Sequence, residues 1–258
     1  MQRPTPFSAP YRGRCALWLL SLGSVWLMGC ATKPVPLEVP GQHGNHTWST
    51  QQQAAWQEMP FPGKIRTTYM LDALAPPGTF GPQGALRAEA QSSVSMLRTP
   101  VRVEADALGH IAFSWLVPAL IPDADMALRE RDDSSVRLVL AFEGDRSQFS
   151  AKDATLNELT RLVTGEEMPY ATLMYVWCNQ RPVGSVIKNA RTDRIRKLVV
   201  ESGSQGLLKW RSYERNIRAD FEHAFGESPG ALVAIGLMTD SDNTRSGTVA
   251  WYGPIGLR

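Results

Sequence analysis

His110-Ile111-Ala112-Phe113-Ser114-Trp115-Leu116-Val117 places Ile111, Phe113, Trp115 and Val117 on one side of an extended chain, because successive strand side chains point to opposite faces. Ala171-Thr172-Leu173-Met174-Tyr175-Val176-Trp177-Cys178 repeats the device, with Leu173, Tyr175 and Trp177 on one face and Met174, Val176 and Cys178 on the other. Outward from these two, further strands are expected over 65–71, 85–91, 101–104, 136–143, 194–201, 232–238 and 248–257. Gly, Pro, Asn or Asp clusters separate most of them. Two helices interrupt the series. Residues 152–164 place Leu156, Leu159, Leu162 and Val163 on one stripe and end at Gly165. Residues 212–225 gather Tyr213, Ile217, Phe221, Ala224 and Phe225 and end at Gly226. Both apolar faces are expected to pack against the body. A short helix is also expected over 48–59, where Trp48, Gln52, Ala55 and Trp56 share a face. Many strands and few helices predict a mostly β fold, an antiparallel β-sandwich or jelly roll with two peripheral α-helices, rather than a parallel α/β sheet.

Composition bounds the rest. The chain has 258 residues, 43% of them hydrophobic and 20% charged, which is too apolar for a disordered chain and suits one globular domain with a tail. No repeat marks a collagen or solenoid. Three cysteines exclude a disulfide-stapled scaffold, and a net charge of +2 argues against a nucleic-acid binder. The one long apolar run is N-terminal, which argues against a multi-span membrane protein.

That run reads as an address. Arg3, Arg12 and Arg14 precede an apolar stretch over 15–28, short for a bilayer span and suited to a signal-peptide core. It closes on Leu27-Met28-Gly29-Cys30, which resembles a bacterial lipobox. Residues 1–29 are then a signal peptide, and Cys30 takes diacylglycerol on its thiol. Residues 30–47, with Pro34, Pro36, Pro40, Gly41 and Gly44, form a tether to a single domain over 48–258. Processing removes three arginines and no acid, so 24 basic residues face 25 acidic ones. Cys178 alone remains as a free thiol, read as buried core rather than nucleophile. Ala31 in place of Asp predicts sorting to the outer membrane, facing the periplasm.

No motif announces an enzyme. HExxH, a P-loop and a dinucleotide-binding glycine pattern are all missing. His43 and His46 lie in the tether, and His110 and His223 have no partner in sequence that would make either a base. The aromatic strands offer a different chemistry: Trp115, Tyr175 and Trp177 could stack against sugar CH faces, or simply fill a core. Polar residues gather at strand ends, and Asn179, Arg194, Glu201, Asp240 and Asp242 are candidate hydrogen-bonding residues. Asp240, Asp242 and Asn243 offer side-chain oxygens for calcium, although Arg245 and Trp251 break the EF-hand pattern, and an ordinary turn explains them equally. Asp132, Asp133, Glu201 and Asp240 could supply paired carboxylates for glycoside hydrolysis.

A series of short motifs carries a resemblance. Pro169 to Trp177, Pro182-Val183-Gly184, Thr192-Asp193-Arg194-Ile195, Val199-Val200-Glu201-Ser202-Gly203, Met238-Thr239-Asp240-Ser241-Asp242-Asn243-Thr244 and Ala250-Trp251-Tyr252-Gly253 occur in this order. Together they resemble a family of bacterial envelope proteins known as the domain of unknown function number three thousand and forty-seven. Cys178 departs from its pattern. The resemblance implies a galactose-binding-like jelly roll and assigns no activity. The reading is a non-enzymatic, ligand-binding envelope lipoprotein whose partners are the membrane, through its lipid, and a glycan. The alternatives are a polysaccharide hydrolase and a structural lipoprotein that binds a protein.

Overall fold

The computed structural model describes residues 44–46, 55–72 and 85–258. The signal peptide, Cys30, most of the tether and residues 48–54 of the expected first helix lie outside them. The strands are β1 (Gly44–His46), β2 (Gln57–Pro60), β3 (Thr68–Asp72), β4 (Ala85–Gln91), β5 (Val94–Val103), β6 (His110–Leu116) and β7 (Ser134–Phe142). They continue with β8 (Ala171–Cys178), β9 (Val186–Lys188), β10 (Ile195–Ser202), β11 (Arg211–Asn216), β12 (Leu232–Asp240), β13 (Gly247–Tyr252) and β14 (Ile255–Leu257). Helix α1 is Ala151–Thr164 and α2 is Ile217–Phe225.

Two seven-stranded sheets form the sandwich. The first runs β1-β14-β6-β13-β4-β3, with β11 on the other edge of β6; the second runs β2-β5-β12-β7-β8-β10-β9. The expected mostly β sandwich with two helices is what forms. Its pairings are antiparallel except β8 with β10, which run parallel. Between the sheets lies the main core, where Phe113 stacks on Tyr175 at 5.4 Å and Trp115, Leu138, Leu140, Trp177, Leu237 and Tyr252 are buried. A second, smaller core covers the outer face of the second sheet, where Met126 from the 117–133 loop joins Val139, Met174, Val176, Cys178 and Val199.

Four expectations need correction. Residues 57–59 are strand, not helix. Residues 212–216 are strand β11, and helix α2 begins only at Ile217, capped by the Asn216 side chain. The strand expected over 248–257 breaks in two, because Gly253-Pro254 cannot continue a ladder. Both helices do end on left-handed glycines, Gly165 (φ 77°) and Gly226 (φ 73°), a conformation open to glycine without a Cβ penalty. Helix α1 departs most from expectation. Its buried residue is Asp153, while Leu159, Leu162 and Val163 point to solvent. No helix among the described residues is long and apolar enough to cross a membrane.

Candidate functional site

The strand register sorts the predicted aromatic residues at once. Trp115, Tyr175 and Trp177 are 0%, 0% and 2% exposed. Their face of the strand is covered by the opposite sheet, so these rings pack the core and offer no platform to a sugar. Their polar atoms look inward as well: the Tyr175 hydroxyl donates to Asp220 at 2.9 Å, and the Trp177 indole N–H donates to the Gly203 carbonyl at 2.9 Å. The polar candidates also scatter. Asn179 donates to the Ile121 carbonyl at 2.8 Å and pins the 117–133 loop, aided by Arg181 on Asp125. Arg194 lies 4.5 Å over the Tyr170 ring and pairs with Glu227. Glu201 accepts from Arg211 at 2.7 Å and from the Tyr213 hydroxyl at 3.0 Å.

Asp240 and Asp242 do come together, in an ionic network that local patterns did not foretell. Arg137 projects from the middle of β7 onto the outer face of the second sheet, where register sets it against Met238 and Val176. Its Nε and Nη2 donate to the two oxygens of Asp240 at 3.1 and 2.9 Å. Nη2 also reaches Asp132 Oδ1 at 3.0 Å. On the other side of Asp132, the fully buried Lys197 donates to both carboxylate oxygens at 2.6 and 2.5 Å and to the Met126 carbonyl at 2.9 Å. Asp240 further accepts from the Ser134 backbone N–H at 2.9 Å.

The last loop closes on this network. Asp133 accepts from the backbone N–H and hydroxyl of Thr244 at 2.7 and 2.6 Å, and from Asn243 Nδ2 at 3.0 Å. Asp242 pairs with Lys64. Asp133, Asp240 and Asp242 each bring a carboxylate oxygen within 4.8 Å of the others. Asn243 therefore presents its amide nitrogen to Asp133, whereas calcium would need its oxygen. Asp132, Asp133 and Asp240 are thus bound to cations or donors.

The protonation of Asp132 follows from this geometry. Burial alone would raise its pKa, but Arg137 and Lys197 outweigh that and hold it below the ordinary value of 3.8. Burial and the nearby Arg137 push Lys197 the other way, down to about 8. A carboxylate held low in the folded state contributes stability that is present above its unfolded value and is lost as pH falls through its folded value. We expect thermal unfolding midpoints below pH 4 to fall less steeply for Asp132→Asn than for the unaltered protein. Parallel acid limbs would show that Asp132 is not ionised in the fold.

The outer face of the first sheet holds a different arrangement. Along β13, Val249 and Trp251 point away from the core, while Thr248, Ala250 and Tyr252 point into it. Register aligns Trp251 with Leu116 of β6 on one side and Arg87 of β4 on the other, and Arg87 with Met70 of β3. One row along, Glu89 lies opposite both Val249 and Thr68. The Trp251 indole N–H donates to Asp72 Oδ2 at 2.8 Å, and Arg87 pairs with Glu89 at 2.8 Å. Trp251 is half-buried and Met70 is 44% exposed. The result is a partly exposed aromatic ring, its indole N–H held by Asp72, bordered by a guanidinium and two carboxylates. Trp251 carried the signal in sequence: it alternates with Ala250 and Tyr252, hence faces opposite to them.

Residues 54–256 match the family described as protein of unknown function (DUF3047). The chain belongs to this family. Among curated proteins, nothing matches it. Solved structures similar in fold include the family 11 carbohydrate-binding module of a cellulosomal cellulase of Clostridium thermocellum. It is 8% identical, with 84% of this chain and 95% of that one covered and a TM-score of 0.41. The xyloglucanase domain of NopAA from Sinorhizobium fredii is 7% identical, covering 78% and 98%, with a TM-score of 0.37. A cellulase derived from the Cel12A enzyme of Rhodothermus marinus is 10% identical, covering 79% and 96%, with a TM-score of 0.37. At these identities the likeness concerns the sandwich architecture alone.

Proposed function

We propose that the protein is a non-enzymatic, ligand-binding β-sandwich whose ligand is a carbohydrate, held on the outer face of the first sheet around Trp251. The observation that carries this is a partly exposed indole on the outer face, held by Asp72 and in a row with Arg87 and Met70. A pyranose presents an apolar CH face and a rim of hydroxyls. The ring face suits the first, and Arg87, Glu89 and Asp72 suit the second. Because Asp72 holds the indole N–H, the ring loses little freedom when a ligand lands on it. Purified protein on a glycan array is expected to retain a defined set of oligosaccharides, and Trp251→Ala is expected to retain none of them.

Cys30 carries the lipid that holds the protein at the outer membrane, facing the periplasm. Cys30→Ser is expected to move the protein from the membrane fraction to the soluble one, and a variant that still sediments with salt-washed membranes would overturn the anchor. A hydrolase reading needs two carboxylates free to exchange protons; Asp132, Asp133 and Asp240 are instead committed to Arg137, Lys197, Asn243 and Thr244, and Glu201 to Arg211 and Tyr213. For calcium at Asp240, Asp242 and Asn243, the ion would have to displace Lys64 from Asp242 and Arg137 from Asp240. Melting curves with calcium and with chelator are therefore expected to coincide, both for the unaltered protein and for Asp242→Ala. A calcium-dependent rise that Asp242→Ala abolishes would place the ion in this loop.

A further inference from the structure

Helix α1 turns the usual arrangement inside out. An amphipathic surface helix normally lays its apolar stripe on the core. Here the inward group is Asp153, held by Ser150 Oγ at 2.9 Å and Thr192 Oγ1 at 2.5 Å. Leu159, Leu162 and Val163 are 56%, 71% and 57% exposed. Three large aliphatic side chains side by side on one exposed stripe mark an interaction surface rather than scattered surface residues.

The chain enters the fold near this helix. Strand β1 pairs Gly44 with Leu257, and Leu257 pairs with Ile111 near the start of β6. Asn216, opposite His110, leads into helix α2 at that same end. Phe221 of α2 packs on Phe142, the last residue of β7, at 4.7 Å. From Phe142 the chain passes through residues 143–150 directly into α1. Gly44 and the start of α1 therefore share one end of the sandwich. Between Cys30 and Gly44 lie fourteen residue steps, which span at most about 50 Å.

Charge around the stripe is balanced. Glu158 pairs with Arg161, Glu166 with Arg98 and Glu167 with Arg146. The acidic side chains bordering the leucines thus present no unopposed negative field to an anionic surface.

We propose that the exposed stripe of α1 lies against the lipid headgroup and acyl boundary of the membrane that holds Cys30, so that lipid and helix together fix one end of the sandwich at the bilayer. This rests on the lipid-anchor reading above. A lipid on a flexible tether holds the domain at the membrane without orienting it, and an apolar contact from the domain itself supplies the orientation. The opposite end, where Leu208 donates its backbone N–H to the Val117 carbonyl, would then face away from the membrane.

The test uses the lipidated full chain carrying Leu162→Cys, labelled with an environment-sensitive fluorophore. It is reconstituted into phosphatidylethanolamine–phosphatidylglycerol vesicles with or without acyl-chain-brominated lipid. Leu208→Cys, 73% exposed in the unaltered chain, is the control. Flotation reads the anchor, and quenching reads the helix. The proposal expects both proteins to float, at least twofold quenching at position 162 and none at 208. Flotation without quenching at 162 overturns the helix contact and leaves the anchor standing. A blue-shifted but unquenched probe at 162 assigns the stripe to a second copy or another protein, and also overturns it. Failure to float removes the anchor reading and this proposal with it.

Discussion

Arg137→Met should lower the stability of the folded domain by about 3–5 kcal/mol, the range for removing one partner from a buried ionic group. Arg137 is 2% exposed and holds both Asp240 oxygens while also bonding Asp132. Methionine fills much of the same volume and packs against Met174 and Met238, so the loss is electrostatic rather than a cavity. Asp240 would be left in the core holding the Ser134 N–H, and Asp132 would keep Lys197. Each orphaned lone pair carries its full desolvation penalty. Denaturant titration should show a lower midpoint with an unchanged slope. A change under about 1 kcal/mol would mean that the network relaxes around the missing charge, with Lys197 or water replacing it.

Two tryptophans should separate folding from binding. Trp177→Ala empties a site that is 2% exposed in the main core and should cost about 3–5 kcal/mol, as large-to-small core substitutions do. Its indole N–H also leaves the Gly203 carbonyl without its donor. Trp251→Ala removes a half-buried ring from an outer face. It should cost under about 2 kcal/mol in stability, and weaken carbohydrate binding about 30-fold or more, as a central aromatic contact does. The contrast is the informative part. If Trp177→Ala lost binding at an unchanged melt while Trp251→Ala kept it, the aromatic face would have been placed on the wrong side of the sheet.

Much of the fold could be read from alternation, because a strand buried on one or both faces writes its period into the sequence. Residues 85–91 and 171–178 fall where expected. Strand β11, Arg211-Ser212-Tyr213-Glu214-Arg215-Asn216, is polar at five of six positions and so merges into the helix that follows. Strands β2 and β9 are short edge or near-edge segments with the same silence. Periodicity also says which side chains share a face but not what covers it. Tyr175 and Trp177 do share a face, and a second sheet covers it. The leucines of α1 share a stripe, and the body leaves it bare. Within the ionic network, Lys197–Asp132, Arg137–Asp240 and Ser134–Asp240 join residues 65, 103 and 106 positions apart, beyond any local pattern. Its one sequence trace is a cation set into each of two largely apolar strands, Arg137 in 134–142 and Lys197, next to Arg196, in 195–200. A charge there requires a buried partner, although the sequence does not say which.

The central claim is that Trp251 and its neighbours form a carbohydrate-binding face. The most direct measurement is isothermal titration of the full-length protein and of Trp251→Ala with the tightest oligosaccharide found on the array, with melting curves for both. Saturable binding by the unaltered protein, weakened about 30-fold or more in Trp251→Ala with the cooperative melt retained, is the predicted result. Equal binding by both proteins, or no oligosaccharide bound by the unaltered protein, would contradict the claim.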